Sequence, residues 1–123
     1  MYTATIETEF SAAHLLRGYN GPCSRLHGHN WKVTVEVKTD MLDPLGMTID
    51  FTVLQKKVEE VVSPFDHRDI SQIPPFDQSL NPTSENLARY FFEALKKIMP
   101  PAVTLSYVAI GETGQCSAKY SEL

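Results

Sequence analysis

The stretch CSRLHGHNWKVTVEV, Cys23 to Val37, decides the fold and raises the question of chemistry. Trp31, Val33, Val35 and Val37 fall on one side of an extended chain. Lys32, Thr34, Glu36 and Lys38 fall on the other. Period two with one polar side predicts a half-buried strand. His27 and His29, two apart on that strand, point to one face and can converge on a single ion. Gly28 between them permits close approach from the other side.

Upstream the same period recurs. Tyr2, Ala4, Ile6, Thr8, Phe10, Ala12 and His14 share a face, opposite Glu7, Glu9 and Ser11. The intervening residues 15 to 26, with RGYNGPCS, read as a loop by their Gly, Asn and Pro content. The two strands are therefore expected to form a hairpin, and a sensible register carries His14 beside His27 and His29. Three neutral imidazoles are the zinc set of a catalytic site, with the fourth position left for water or substrate. A lone histidine more often satisfies a local hydrogen bond. Here three of the chain's four histidines fall together, two of them as His-Gly-His.

Cys23 leaves two readings open. It could close the site as a fourth ligand of a structural zinc. It could instead be a free thiolate beside a cation, serving as base or nucleophile.

Downstream the period changes. In IDFTVLQKKVEEVV, Phe51, Leu54, Val58, Val61 and Val62 sit near helical spacing, with Asp50 as N-cap and Pro64 as stop. Residues 63 to 82 are rich in Pro, Asp and Ser and read mostly as loop. A second helix follows Pro82, capped by Thr83 or Ser84. It presents Leu87, Phe91, Leu95 and Ile98 and is stopped by Pro100. VTLSYVAIGET and CSAKYSEL read as two further strands. The order predicts an α+β chain, residues 1–123 as one domain, with two helices on one face of a four-stranded antiparallel sheet. Such a sheet has edges to hide, and closing into a barrel shared with other copies would hide them.

Composition bounds the function. The chain has 123 residues, 42% hydrophobic and 21% charged, with net charge −4. That balance points away from nucleic acid, which usually demands a basic surface. No apolar run approaches a membrane span. The chain opens on a strand-like run with no leader, so a cytoplasmic location is expected, where two cysteines suit thiol or metal chemistry better than a disulfide.

In FDHRDI, Asp66 stands beside His67, and a carboxylate can orient an imidazole for proton transfer. Glu112 ends an apolar strand, where it could anchor a ring presenting two N–H donors. Glu85 suits the first turn of the second helix. Cys116 is expected to pack in a strand.

CSRLHGH, the upstream SAAH, IDFTVL, FDHRDI, NPTSENLA and the terminal GET occur in one order along nearly the whole chain. That ordered set resembles the 6-pyruvoyltetrahydropterin synthase family, which includes the related 6-carboxytetrahydropterin synthases. The resemblance implies the tunnelling fold, in which three subunits close a twelve-stranded antiparallel barrel and two trimers stack into a homohexamer. It implies His14, His27 and His29 as ligands of one Zn2+ per subunit, and Cys23 as a catalytic thiol that is not a ligand. It implies His67 and Asp66 as a proton relay and Glu112 as the holder of the pterin ring, joining the relay in the carboxy-forming branch. Thr83 and Glu85 would line the pterin pocket. Active sites in the family lie between subunits.

One spacing separates the branches. The pyruvoyl-forming enzymes resembled here put five residues between the cysteine and His-Gly-His, and the carboxy-forming ones put three. Ser24, Arg25 and Leu26 make three. The implied reaction takes 7,8-dihydroneopterin triphosphate to 6-carboxy-5,6,7,8-tetrahydropterin, acetaldehyde and triphosphate, an early step toward queuosine. The alternatives are the pyruvoyl-forming elimination and a non-catalytic zinc-stabilised binding module. Arg17, Arg25 and Lys119 are the cations available to a triphosphate.

Overall fold

A computed structural model describes residues 1–122. Strands β1 (Tyr2–His14) and β2 (His27–Thr39) pair antiparallel in unbroken register, from Tyr2 opposite Thr39 to His14 opposite His27. Their parity is the one expected from the sequence. Ala4, Ile6, Phe10 and Ala12 of β1 are buried on one face, with Trp31, Val33, Val35 and Val37 of β2. Full burial of Ile6, Phe10 and the three valines contributes about 1.5–3 kcal/mol each, enough to lock the hairpin against a one-residue slip.

Helix α1 (Phe51–Val62) is capped by Asp50, whose carboxylate accepts the Thr52 N–H at 2.9 Å. Leu54, Val58 and Val62 form its buried stripe. Phe51, placed on that stripe by spacing alone, is 56% exposed. The whole first turn, residues 51–53, faces solvent, so the packed length of the helix begins at Leu54. Helix α2 (Ser84–Ile98) is capped by Thr83, whose hydroxyl accepts the Asn86 N–H at 3.1 Å. It buries Leu87, Phe91 and Leu95. A single hydrophobic cluster joins both helices to the sheet.

The sheet differs from the expected four strands. A two-residue strand, β3 (Arg68–Asp69), pairs parallel with Ala12 and Ala13 of β1. With β4 (Thr104–Gly111) and β5 (Ser117–Tyr120), the order is β3-β1-β2-β4-β5. Two residues carry no readable period, so FDHRDI reads as loop although it adds a sheet edge. Cys116 precedes β5 and is exposed, where a packed strand position was expected. Of CSAKYSEL, Leu123 lies outside the described residues.

Among the described residues, β1 from Tyr2 to Ser11 has no strand on its outer side, and the four-residue β5 is the other edge. No helix among them is long and apolar enough to cross a membrane.

Candidate metal centre

The buried face of the hairpin runs without interruption into three histidines. Phe10 pairs with Trp31, Ala12 with His29 and His14 with His27. Toward the open end, His29 follows Trp31 and His14 follows Ala12 on the same side, and the small Ala12 leaves room opposite His29. The rings gather with centroids 4.5 Å (His14–His27), 5.1 Å (His14–His29) and 4.9 Å (His27–His29) apart. One nitrogen from each lies within 4.8 Å of the other two. Trp31 is the floor: its ring meets His14 and His29 edge-on at 4.7 and 5.1 Å, and its indole N–H donates to the Ala12 carbonyl at 3.1 Å.

Hydrogen bonding decides which nitrogen faces inward. His14 Nδ1 donates to the Pro82 carbonyl at 2.7 Å, and His27 Nδ1 donates to the Arg25 carbonyl at 2.7 Å. A carbonyl only accepts, so both rings carry their proton on Nδ1 when neutral. Their Nε2 atoms then point at each other, 3.0 Å apart, with a lone pair on each and no proton between. His29 Nε2 is buried without a hydrogen-bond partner. Two facing acceptors with no proton between them, beside a third unpartnered ring nitrogen, are an unfavourable arrangement for an empty cluster and a fitting one for a cation. Imidazole nitrogens at about 2.0–2.1 Å are the preferred donors of tetrahedral zinc. The donor set therefore fits a metal ion of this type.

Burial pushes the His14 pKa below the ordinary imidazole value, opposed by its bond to Pro82 and reinforced by His27. Burial lowers His29 in the same direction, opposed by Glu112. Both are held toward the neutral, metal-ready form. In the metal-free protein the folded chain resists protons that the unfolded chain accepts below pH 6.5. Stability is therefore full above that value and falls as pH drops through the lowered folded-state pKa values. The urea midpoint of chelator-treated protein is expected to decline between neutral pH and about pH 5.5. A flat midpoint across that window would contradict the lowered values.

Cys23 lies in a one-turn 3-10 helix, Pro22–Ser24, and its carbonyl accepts the Leu16 N–H at 2.9 Å. It is half-buried and stands outside the three-nitrogen group. Glu112 follows β4, its N–H tied to the Cys116 carbonyl, and its carboxylate reaches within 3.8 Å of His29 Nε2. The carboxylate at the strand end and the histidines are thus brought together.

Asp66 and His67 are not brought to them within the chain. Asp66 Oδ1 accepts the Ser11 N–H at 2.9 Å and lies 3.0 Å from His67 Nδ1. The Ser11 bond, then His67, lowers the Asp66 pKa and keeps it a carboxylate. His67 has φ 59°, an unusual conformation for a side chain with a Cβ, held by its N–H bond to the Ser11 carbonyl. His67, its side chain 80% exposed, lines an open depression with Ser11, Ala13, Gly28 and Asn30, of parity opposite to the histidine cluster, and with Ala12 and His29, which share its parity.

Thr83 uses its oxygen to cap α2 and keeps its O–H free to donate. Glu85 is exposed in the first turn of α2. Of the three cations, Arg17 is turned inward onto the Phe76 and Leu80 carbonyls, Lys119 lies 4.4 Å over the Tyr107 ring and Arg25 is exposed. Sequence reading missed the Trp31 floor, although parity places it there, and the Pro82 and Arg25 carbonyls, which no side-chain pattern announces.

The sequence profile of a family described as 6-pyruvoyl tetrahydropterin synthase matches residues 3–123. The chain is 33% identical over 143 aligned positions to the 6-carboxy-5,6,7,8-tetrahydropterin synthase of Haemophilus influenzae, spanning 99% of this chain and 100% of that one. It is 34% identical over 118 positions to the enzyme of the same name from Synechocystis sp., spanning 93% and 88%. In three dimensions it resembles the 6-pyruvoyl tetrahydropterin synthase of Caenorhabditis elegans, with TM-score 0.84 and 34% identity over 100% of this chain and 98% of that one.

Proposed function

This chain belongs to the 6-pyruvoyl tetrahydropterin synthase family, and on that footing we propose that it is a zinc-dependent lyase of the carboxy-forming branch. Its substrate is 7,8-dihydroneopterin triphosphate, and its products are 6-carboxy-5,6,7,8-tetrahydropterin, acetaldehyde and triphosphate, an early step toward queuosine in the cytoplasm. The observation that carries this reading is the cluster of three inward-facing imidazole nitrogens from which Cys23 stands apart. A structural zinc site is closed by four protein ligands, whereas a catalytic one keeps a position open. The three residues between Cys23 and His27 support the carboxy-forming branch.

His14, His27 and His29 hold the ion. Zinc, when bound, supplies Lewis acidity toward the side-chain oxygens of the substrate. Cys23 accepts a proton from one side of the substrate side chain. The Asp66–His67 pair moves a proton on the other side: Asp66, already a carboxylate, fixes the ring through its 3.0 Å contact with Nδ1. Glu112 accepts the two N–H donors of the pterin ring, and Thr83 and Glu85 line the pocket.

The exposure of His67 and its place outside the three-histidine group support a relay supplied to the ion of a neighbouring copy. Three copies, each contributing β1, β2, β4 and β5, would make twelve strands and cover the unpaired edge of β1, and two such trimers a hexamer. The test of the activity is product analysis. Protein loaded with zinc and given 7,8-dihydroneopterin triphosphate is expected to release acetaldehyde with the carboxypterin. A pyruvoyl pterin without acetaldehyde would assign the chain to the other branch. Bound zinc with no turnover would assign it to the non-catalytic class.

A further inference from the structure

Arg17 lies three residues beyond His14, and one of its guanidinium nitrogens is already committed. Its Nη2 donates to the Phe76 carbonyl at 2.7 Å and to the Leu80 carbonyl at 2.8 Å. Its main chain is held by the Asn81 side chain in a two-way clasp: the Arg17 N–H donates to Asn81 Oδ1 at 2.9 Å, and Asn81 Nδ2 donates to the Arg17 carbonyl at 2.9 Å. An amide side chain here does what a strand partner would do. The main-chain carbonyl of Asn81 is fixed in turn, accepting from Asn86 Nδ2 and from the Thr83 N–H, each at 2.9 Å. Between these anchors sits Pro82, buried, its carbonyl accepting the His14 Nδ1–H.

Residues 76 to 82 form no helix or strand that would place this carbonyl. Side chains do much of this instead: Arg17 and Asn81 tie the segment to the chain just beyond the end of β1 that carries His14, and Asn86 ties it to α2. We infer that Arg17 and Asn81 are positioning residues for the metal centre, acting on His14 through the Pro82 carbonyl. The inference rests on the zinc reading above. By holding the acceptor 2.7 Å from Nδ1, the clasp keeps the proton off Nε2 and fixes the plane of the ring. It also commits Nη2 of Arg17 to these carbonyls, while Arg25 is the exposed arginine in the loop that leads into β2.

The experiment measures the zinc affinity of the folded protein against a chromophoric chelator, and the visible spectrum of the cobalt-substituted protein. Loss of an outer-shell partner typically weakens metal binding by about 10- to 100-fold. Asn81→Ala is expected to fall in that range and to change the cobalt bands. Arg17→Lys keeps the charge but offers one ammonium where the guanidinium bridges two carbonyls. It is expected to show a smaller loss, and it stands in if Asn81→Ala does not fold. Arg89→Ala removes an exposed ion pair with Glu93 and a contact over the Tyr120 ring, neither of which involves the histidines or the clasp, and should leave affinity unchanged.

A merely structural clasp would lower the urea midpoint of metal-free protein and leave affinity and cobalt spectrum as they were. That result in both variants overturns the inference. Wild-type protein that takes up no zinc overturns it together with the functional reading. Weakened binding in the variants, beside a wild type that binds zinc but forms no pterin product, sustains the inference while the functional reading fails.

Discussion

Replacing Cys23 by alanine is expected to leave one zinc ion per chain in place and to cut turnover by about 10²- to 10⁴-fold, the span typical of a lost general acid or base. The expectation follows from the place of Cys23, on a short 3-10 turn outside the group of three nitrogens. A ligand and a base make opposite demands on the same thiol. As a fourth ligand, Cys23 would hold the ion, and its removal would lower metal content together with activity. As a base it must stay off the ion and near the substrate. Cobalt-substituted wild-type protein separates the two without any substitution. A strong sulfur-to-metal charge-transfer band in the resting protein would make Cys23 a ligand and end the catalytic assignment.

His27→Ala is the second large effect. It should lose zinc and lower turnover by about 10³-fold or more, because the Lewis acidity lost with the ion is worth several kcal/mol. His27 is the informative choice over His14. His14 is 1% exposed and packs on Trp31, so its truncation would also open a cavity in the core. His27 is only half-buried, and its Nε2 faces that of His14 at 3.0 Å, lone pair against lone pair. Removing it relieves that contact. The metal-free variant should unfold at a urea concentration no lower than metal-free wild type, although it has lost the activity. A marked drop in that midpoint would show that the ring contributes packing and that the loss of function is a loss of fold.

The strands and their faces were legible because each keeps period two over many residues. His14, His27 and His29 continue the parity of Phe10 and Trp31, so the hairpin register alone brings the three rings together. Asp50 and the residue after Pro82 were readable as caps because their chemistry is local. What escaped reading has no periodic or local signature. Strand β3 is two residues long and is defined only by its partner, fifty-six positions earlier for Arg68 and Ala12. The bond from His14 to the Pro82 carbonyl spans sixty-eight positions and uses a backbone atom common to every residue. Arg17 was readable as one of three candidate cations for a triphosphate because charge is visible in a sequence, whereas the carbonyls that hold its Nη2 are not. The Asp66–His67 pair was recognisable as a unit, but its place beside β1 depends on the β3 pairing that was missed.

Trp31 is the sole tryptophan of the chain, fully buried, with its indole N–H committed to the Ala12 carbonyl and two of the three histidine rings set edge-on against it. All indole fluorescence therefore originates from one environment at the base of the cluster. Protonation of His14 or His29, or the arrival of a paramagnetic ion such as cobalt, acts on that one emitter at ring-contact distance. The protein carries its own optical probe of occupancy, and excitation of the indole alone can follow metal uptake in real time without a label.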